Sequence, residues 1–122
     1  MTIRLLIVDD NKQVRQDLRT LLALSKDIEI VGEAANGLEA VDLVELLKPD
    51  VVLLDLEMPL MDGYEAAQQI KALAPSLRII TLTVHDYGTA REKALQAGVD
   101  SFIVKGIPVE KLIQEILDQE IN

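Results

Sequence analysis

Asp55 closes the apolar run Val51-Val52-Leu53-Leu54, and Asp9-Asp10 closes a second run, Ile3-Arg4-Leu5-Leu6-Ile7-Val8. Runs this short, the former bracketed by Pro49 and Pro59, read as buried strands rather than helices. In a parallel α/β sheet, reactive groups gather just outside the carboxyl ends of the strands. If the two strands adjoin, three carboxylates share one small volume, where like charges repel unless a cation lies among them. Oxygen-only ligands with room for water suit a hard divalent ion such as Mg²⁺. Taken singly, each carboxylate reads equally well as a loop residue or a solvated surface charge. Their repetition at two strand ends is what points to a site.

Two further polar residues end apolar strands: Thr83 follows Leu77 to Leu82, and Lys105 follows Ser101-Phe102-Ile103-Val104. A hydroxyl and an ammonium beside a Mg²⁺-carboxylate cluster are what a phosphoryl group requires, since metal and Lys balance its charge and Thr supplies a hydrogen bond. Asp55 could then attack phosphorus and form an acyl phosphate. Alone, Thr83 is more simply a β-branched strand residue, and Lys105 is as readily a surface cation. Five strand-end positions in agreement weigh against coincidence.

The elements that must position these residues follow from the apolar spacing. After Asp9-Asp10, Val14, Leu18, Leu21 and Leu22 form one face of a helix, with Lys12, Arg15, Gln16 and Arg19 opposite, ending near Ser25-Lys26-Asp27. Ile28 to Glu33 partly alternates, as a half-buried edge strand does. Asn36 followed by Glu39 resembles a capping box that opens a second helix, with Ala40, Val41, Val44 and Leu47 inward. Asp62 is the N-cap of a third, with Ala66, Ala67 and Ile70 inward and Pro75 marking its end. A weaker helix covers Thr89 to Gln96 and stops at Gly98. Pro108 starts a closing helix whose Leu112, Ile113, Ile116 and Leu117 face inward.

Strand-helix alternation repeated five times, with continuous apolar strands, argues a parallel sheet covered on both faces. The expected fold is α/β: a flavodoxin-like, doubly wound, five-stranded sheet of order 2-1-3-4-5 with five helices. Its switch point lies between strands one and three, which makes Asp9-Asp10 and Asp55 neighbours.

The 122 residues suffice for one domain, 1–122, with a real core. Tyr64, Tyr87 and Phe102 are the only aromatics, so the core is aliphatic. The net charge of −9 disfavours nucleic acid phosphate and anionic membrane as direct partners. No apolar run approaches the roughly 20 residues of a membrane span, and no signal peptide is evident. The absence of cysteine excludes disulfides and thiolate metal sites and fits a cytoplasmic setting.

Over essentially its whole length, the chain resembles the receiver domain of bacterial two-component response regulators. The matching residues are Asp9-Asp10, Asp55-Leu56-Glu57-Met58-Pro59 with Asp62-Gly63 after it, Thr83 and Lys105. The resemblance implies that Asp55 accepts phosphate from a sensor histidine kinase in a Mg²⁺-dependent reaction, with Mn²⁺ as an alternative ion. It implies that Asp10 and Asp55 ligate the ion directly, that Asp9 acts mainly through water, and that the backbone carbonyl of Glu57 completes the protein ligands. Lys105 and Thr83 would bond the phosphoryl oxygens. Phe102 matches the family's switch aromatic, which biases the surface formed by the fourth and fifth helices and the last strand. The implied activity is self-phosphorylation and self-dephosphorylation, not turnover of an external substrate, and the implied partners include a homodimer formed on phosphorylation.

The stretches Ile28 to Gly37 and Leu46 to Asp55 look most like the subfamily that carries a C-terminal helix-turn-helix DNA-binding domain. The chain ends at Gln119-Glu120-Ile121-Asn122 without such a domain, which fits an excised receiver or a stand-alone one, the former being favoured. DNA would be contacted only through that other domain. Two positions depart from the family pattern. Gly106 follows Lys105, where Pro is usual, and Val84 follows Thr83, where Ala or Gly is common. The bulk of Val84 is expected to narrow access to Asp55 and slow phosphorylation or water attack. His85, the single histidine, reads as an ordinary loop residue that could affect dephosphorylation.

Two rivals share parts of the pattern. A Mg²⁺-dependent phosphohydrolase of the haloacid dehalogenase type also places acids two apart at a strand end, as in Asp55-Leu56-Glu57, but its second residue is normally Asp and it needs a cap. A flavodoxin-like electron carrier would need Ser, Thr and Gly where Asp9-Asp10 stands. The conjunction of strand-end residues argues against a pure interaction module.

Overall fold

Strand and helix alternate from the first turn onward: β1 (Ile3–Val8), α1 (Lys12–Leu22), β2 (Ile28–Ala34), α2 (Gly37–Leu47), β3 (Val51–Leu54), α3 (Gly63–Leu73), β4 (Arg78–Thr83), α4 (Ala90–Gln96), β5 (Ser101–Val104) and α5 (Val109–Leu117). The computed structural model describes residues 2–58, 60–83 and 89–118. Pro59, Val84 and His85, with the expectations attached to them, lie outside the described residues.

The strands are parallel in the order β2-β1-β3-β4-β5, the doubly wound arrangement expected from the alternation. Successive strand residues point to opposite faces, and both faces are apolar. Leu5, Ile7, Val51, Leu53, Ile80 and Leu82 pack on one side with Leu18 and Leu22 of α1 and Leu112 and Ile116 of α5. Leu6, Val8, Val52, Leu54 and Ile79 pack on the other with Ala40 and Val44 of α2, Ala66, Ala67 and Ile70 of α3, and Ala94 of α4. Leu5, Leu6, Ile7 and Leu54 expose no surface. Burial of each contributes about 1.5–3 kcal/mol. An aliphatic core without large rings leaves room for small-residue helices close to the sheet.

The helix starts match their residue chemistry. Asn11, Asn36 and Asp62 each accept a backbone N–H of the first turn. Glu39 reaches back to the N–H of Ala35 at 2.8 Å, one residue before the cap, so the box expected at Asn36 is displaced by one position. At the end of α4, Gly98 adopts φ +100, its N–H donates to Leu95 O, and that of Val99 donates to Ala94 O, a Schellman closure.

Some expectations shift by a residue or a face. Leu77 precedes β4, and Thr83 is its last residue. Pro108 is the N-cap of α5 rather than a residue of its first turn. Leu21 is 42% exposed, because Val14, Leu18 and Leu22 take the core side of α1, and it lines a groove with Ile107 and Leu112. A bulge pairs Leu5 with Ile30 but Leu6 with Gly32, leaving Val31 unmatched in the edge strand β2.

Basic side chains secure the amino ends of the strands. Arg4 Nη1 donates to Lys48 O at 2.8 Å, past the end of α2. Arg78 donates to the carbonyls of Glu115 and Ile116 at 2.9 and 3.1 Å, at the end of α5. Both place positive charge at the negative end of a helix. The carboxyl ends of β1 and β3 carry Asp9, Asp10 and Asp55.

Candidate functional site

Register brings the acids together. β1 and β3 pair Val8 with Leu54, so the next residues, Asp9 and Asp55, leave the sheet side by side. The N–H of Asp55 donates to Val8 O at 3.0 Å, and that of Asp9 to Ala34 O at 3.0 Å, holding both strand ends in line. Carboxylate oxygens of Asp9, Asp10 and Asp55 lie within 4.8 Å of one another, a grouping that could hold a metal ion. Asp9 is 3% and Asp55 9% exposed, whereas Asp10 faces solvent.

Asp9 is the most tightly held of the three. Its Oδ1 accepts the N–H of Asn11 at 2.9 Å, and its Oδ2 lies 3.2 Å from Lys105 Nζ. With both oxygens engaged by the protein, it is less available to ligate an ion than Asp10. Asp55 Oδ1 accepts the N–H of Glu57 at 3.2 Å, while the Glu57 side chain is exposed on the loop. Burial pushes the Asp55 carboxyl up to about 6, against the pull of the Glu57 N–H; Asp9 and Asp10 add to the rise, and Lys105 opposes it. Negative charge here thus outweighs the one ammonium. An oxygen-only donor set with uncompensated charge and one solvent-facing ligand fits a hard divalent cation.

Thr83 is 2% exposed at the end of β4, and its carbonyl accepts the N–H of Lys105 at 2.7 Å. The last two strand ends are thereby linked beside the acids. Phe102 does not join this cluster. It is half-buried against the α2-α3-α4 side of the sheet, with the Arg91 guanidinium of α4 4.8 Å from its ring centroid.

Two contributors escape a reading by residue type. Asn11 is legible as a helix cap but also ties the loop to Asp9 through its own N–H. Arg15, expected on the polar face of α1, instead donates to Asp9 O at 2.6 Å and to Glu33 at 3.0 Å. Its one signal in the sequence is Arg19 at i+4 beside a strand that carries Glu33. The two arginines, Arg19 first, hold the Glu33 carboxyl below its usual range.

The loop from Asp55 closes against α3. The N–H of Gly63 donates to Leu56 O at 3.0 Å, and a β-carbon on Gly63 would stand 2.5 Å from Asp55 O and from Leu56 Cα. Only glycine lets the helix start this close to the acidic strand end.

The sequence profile of the response regulator receiver domain matches residues 5–117. The response regulator protein VraR of Staphylococcus aureus is 46% identical over 105 residues, covering 86% of this chain and 50% of that protein. The chain thus spans about half the length of the curated relatives it matches. The response regulator domain of Thermotoga maritima CheB superposes with a TM-score of 0.87 at 35% identity, covering 95% of this chain and 94% of that one. A DNA-binding response regulator of the LuxR family from Staphylococcus aureus gives 0.87 at 34%, covering 93% and 95%.

Proposed function

The chain belongs to the response regulator receiver domain family, whose members are phosphorylation-driven signalling switches, and from that premise we propose that Asp55 is the residue that receives the phosphoryl group. The observation that carries this is the convergence of Asp9, Asp10 and Asp55 at adjoining strand ends, with Lys105 bonded to the cluster. Receiver domains bind Mg²⁺ at such an acidic group. Asp10 and Asp55 would hold Mg²⁺, or Mn²⁺ in its place, with Asp9 acting through water and the Glu57 carbonyl as a further ligand. The ion would supply charge neutralisation for the phosphoryl oxygens.

In the transfer, a carboxylate oxygen of Asp55 bonds to phosphorus. The bond from phosphorus to the donor nitrogen breaks, and its electron pair returns to the donor imidazole. Lys105 pairs with phosphoryl oxygens, and the Thr83 hydroxyl bonds to them once the adduct exists. Water attack on phosphorus later releases inorganic phosphate and restores the carboxylate. Self-modification of this kind needs no pocket for an external substrate.

The added charge of roughly −2 at Asp55 supplies the differential interaction that selects the active state. Thr83 and Phe102 transmit it to the face made by α4, β5 and α5. The unit that does this is the single domain of residues 1–122. A sensor histidine kinase in the cytoplasm is the donor, a homodimer forms on phosphorylation, and DNA is reached through an output domain. Membership of the receiver domain family supports the kinase donor, and similarity to a DNA-binding LuxR-family regulator supports the DNA-directed output.

Beryllofluoride, which mimics a phosphoryl group on a carboxylate, provides the test. With Mg²⁺ it should shift the amide resonances of Asp55, Thr83 and Lys105 in the wild type and leave Asp55→Asn unchanged. A wild-type spectrum that does not respond would rule the assignment out.

A further inference from the structure

Asp9 is held from four directions: its N–H by Ala34 O, its carboxylate by the Asn11 N–H and by Lys105, and its carbonyl by Arg15 Nη1 at 2.6 Å. The first three act on Asp9 itself. The fourth acts on the peptide that joins Asp9 to Asp10. That unit is planar, so the direction of its carbonyl dictates where the N–H and Cα of Asp10 lie. Asp10 is exposed, yet its carboxylate belongs to the acidic group, so its position depends on that backbone orientation.

Arg15 is itself anchored. Its Nε lies 3.0 Å from Glu33 Oε1, and its side chain is 15% exposed. The other oxygen of Glu33 accepts from Arg19 Nε at 2.8 Å. Glu33 sits on β2, whose next residue, Ala34, receives the Asp9 N–H. One guanidinium therefore spans the edge strand and the acidic loop, which its planar fork can do and a single ammonium cannot. The Glu33 carboxylate, shared with Arg19, offsets only part of this charge, so removing Arg15 relieves repulsion at a nearby cation site while it frees the peptide.

We infer that Arg15 is a positioning residue for the divalent-cation site, orienting the Asp9–Asp10 peptide so that the Asp10 carboxylate stays beside that of Asp55. This rests on the Mg²⁺ reading above, and the two are separable by the sign of one effect. As a mere charge near the site, Arg15 would oppose cation binding, and its neutralisation would tighten it. As a positioning group, its loss weakens binding despite the relief of repulsion.

The experiment is calorimetric titration of Mg²⁺ into the wild type, Arg15→Gln, Arg15→Lys and Lys12→Gln at one pH and ionic strength. Lys12→Gln removes an exposed positive charge two residues along the chain from Asp10 and serves as the charge control. Arg15→Gln should bind Mg²⁺ about tenfold more weakly, as loss of an outer-shell partner does. Arg15→Lys should also bind more weakly, and Lys12→Gln as tightly as the wild type or slightly more so. In the metal-free protein, both Arg15 variants should shift the Asp10 amide nitrogen further than Lys12→Gln does, because that nitrogen shares the peptide whose carbonyl loses its donor. Equal or tighter Mg²⁺ binding by a folded Arg15 variant overturns the inference; if Arg15→Gln does not fold, Arg15→Lys decides between the same two outcomes. A wild type that binds no Mg²⁺ overturns the cation reading along with it.

Discussion

Burial and two neighbouring carboxylates make Asp55 a destabilised anion in the metal-free protein, with its carboxyl pushed up to about 6 from 3.8. The folded state holds this proton more tightly than the unfolded chain. The stabilisation is thus complete below about pH 4 and lost as pH rises through 6. At roughly 1.4 kcal/mol per unit, the ionised form costs on the order of 3 kcal/mol at pH 7.5. Asp55→Asn should therefore unfold at higher urea than the wild type at pH 7.5 without Mg²⁺, and the gap should close by pH 4. A wild type as stable as the variant at pH 7.5 would contradict this. Lys105→Gln probes the other sign. It removes the cation bonded to Asp9, so acetyl phosphate should modify Asp55 about tenfold more slowly or worse, with Mg²⁺ affinity retained or raised. A variant modified at the wild-type rate would remove Lys105 from the mechanism.

At the scale of elements, the β3–α3 connection depends on Gly63. Alanine there would drive its β-carbon into Asp55 O and Leu56 Cα, and such overpacking costs about 1–3 kcal/mol. Gly63→Ala should lower the urea midpoint and slow phosphorylation together, because the strained loop is the one that presents Asp55. Loss of stability with an unchanged phosphorylation rate would uncouple the loop from the acceptor. The element order itself was legible, since continuous apolar runs such as Val51 to Leu54 and caps such as Asn36 and Asp62 are local signals. What escaped was remote. Arg4 closes α2 from 44 residues away, and Arg78 closes α5 from 37 and 38, so nothing in their neighbourhoods marks them as caps. Arg15 failed to stand out because its residue type fitted a solvated helix face, and one of its partners is a backbone carbonyl, Asp9 O, that no residue type announces. The acids, Thr83 and Lys105 were visible because a polar residue that ends a buried run is conspicuous wherever the strands finally lie.

Across the described molecule, Arg4 and Arg78 close helices at the amino ends of the strands, and Asp9, Asp10 and Asp55 cluster at the carboxyl ends. Between them, α4 is tied on two sides, by Arg91 over Phe102 of β5 and by Lys93 over Tyr64 of α3, each 4.8 Å from the ring centroid. A signal that reaches Phe102 must therefore disturb a contact of α4. Arg91→Ala should move the ring resonances of Phe102 in the unmodified protein while leaving the phosphorylation rate within about twofold; unchanged rings would show that the cation does not hold them. Among the described residues, no helix is long and apolar enough to cross a membrane, and the net charge of −9 disfavours direct contact with nucleic acid phosphate.

The most direct test of Asp55 as the acceptor is the intact mass of the protein after incubation with acetyl phosphate, with and without Mg²⁺, for the wild type and Asp55→Asn. The expected result is a single phosphoryl adduct that requires Mg²⁺ and disappears in the variant. An adduct that persists in Asp55→Asn, or forms equally well without Mg²⁺, would contradict it.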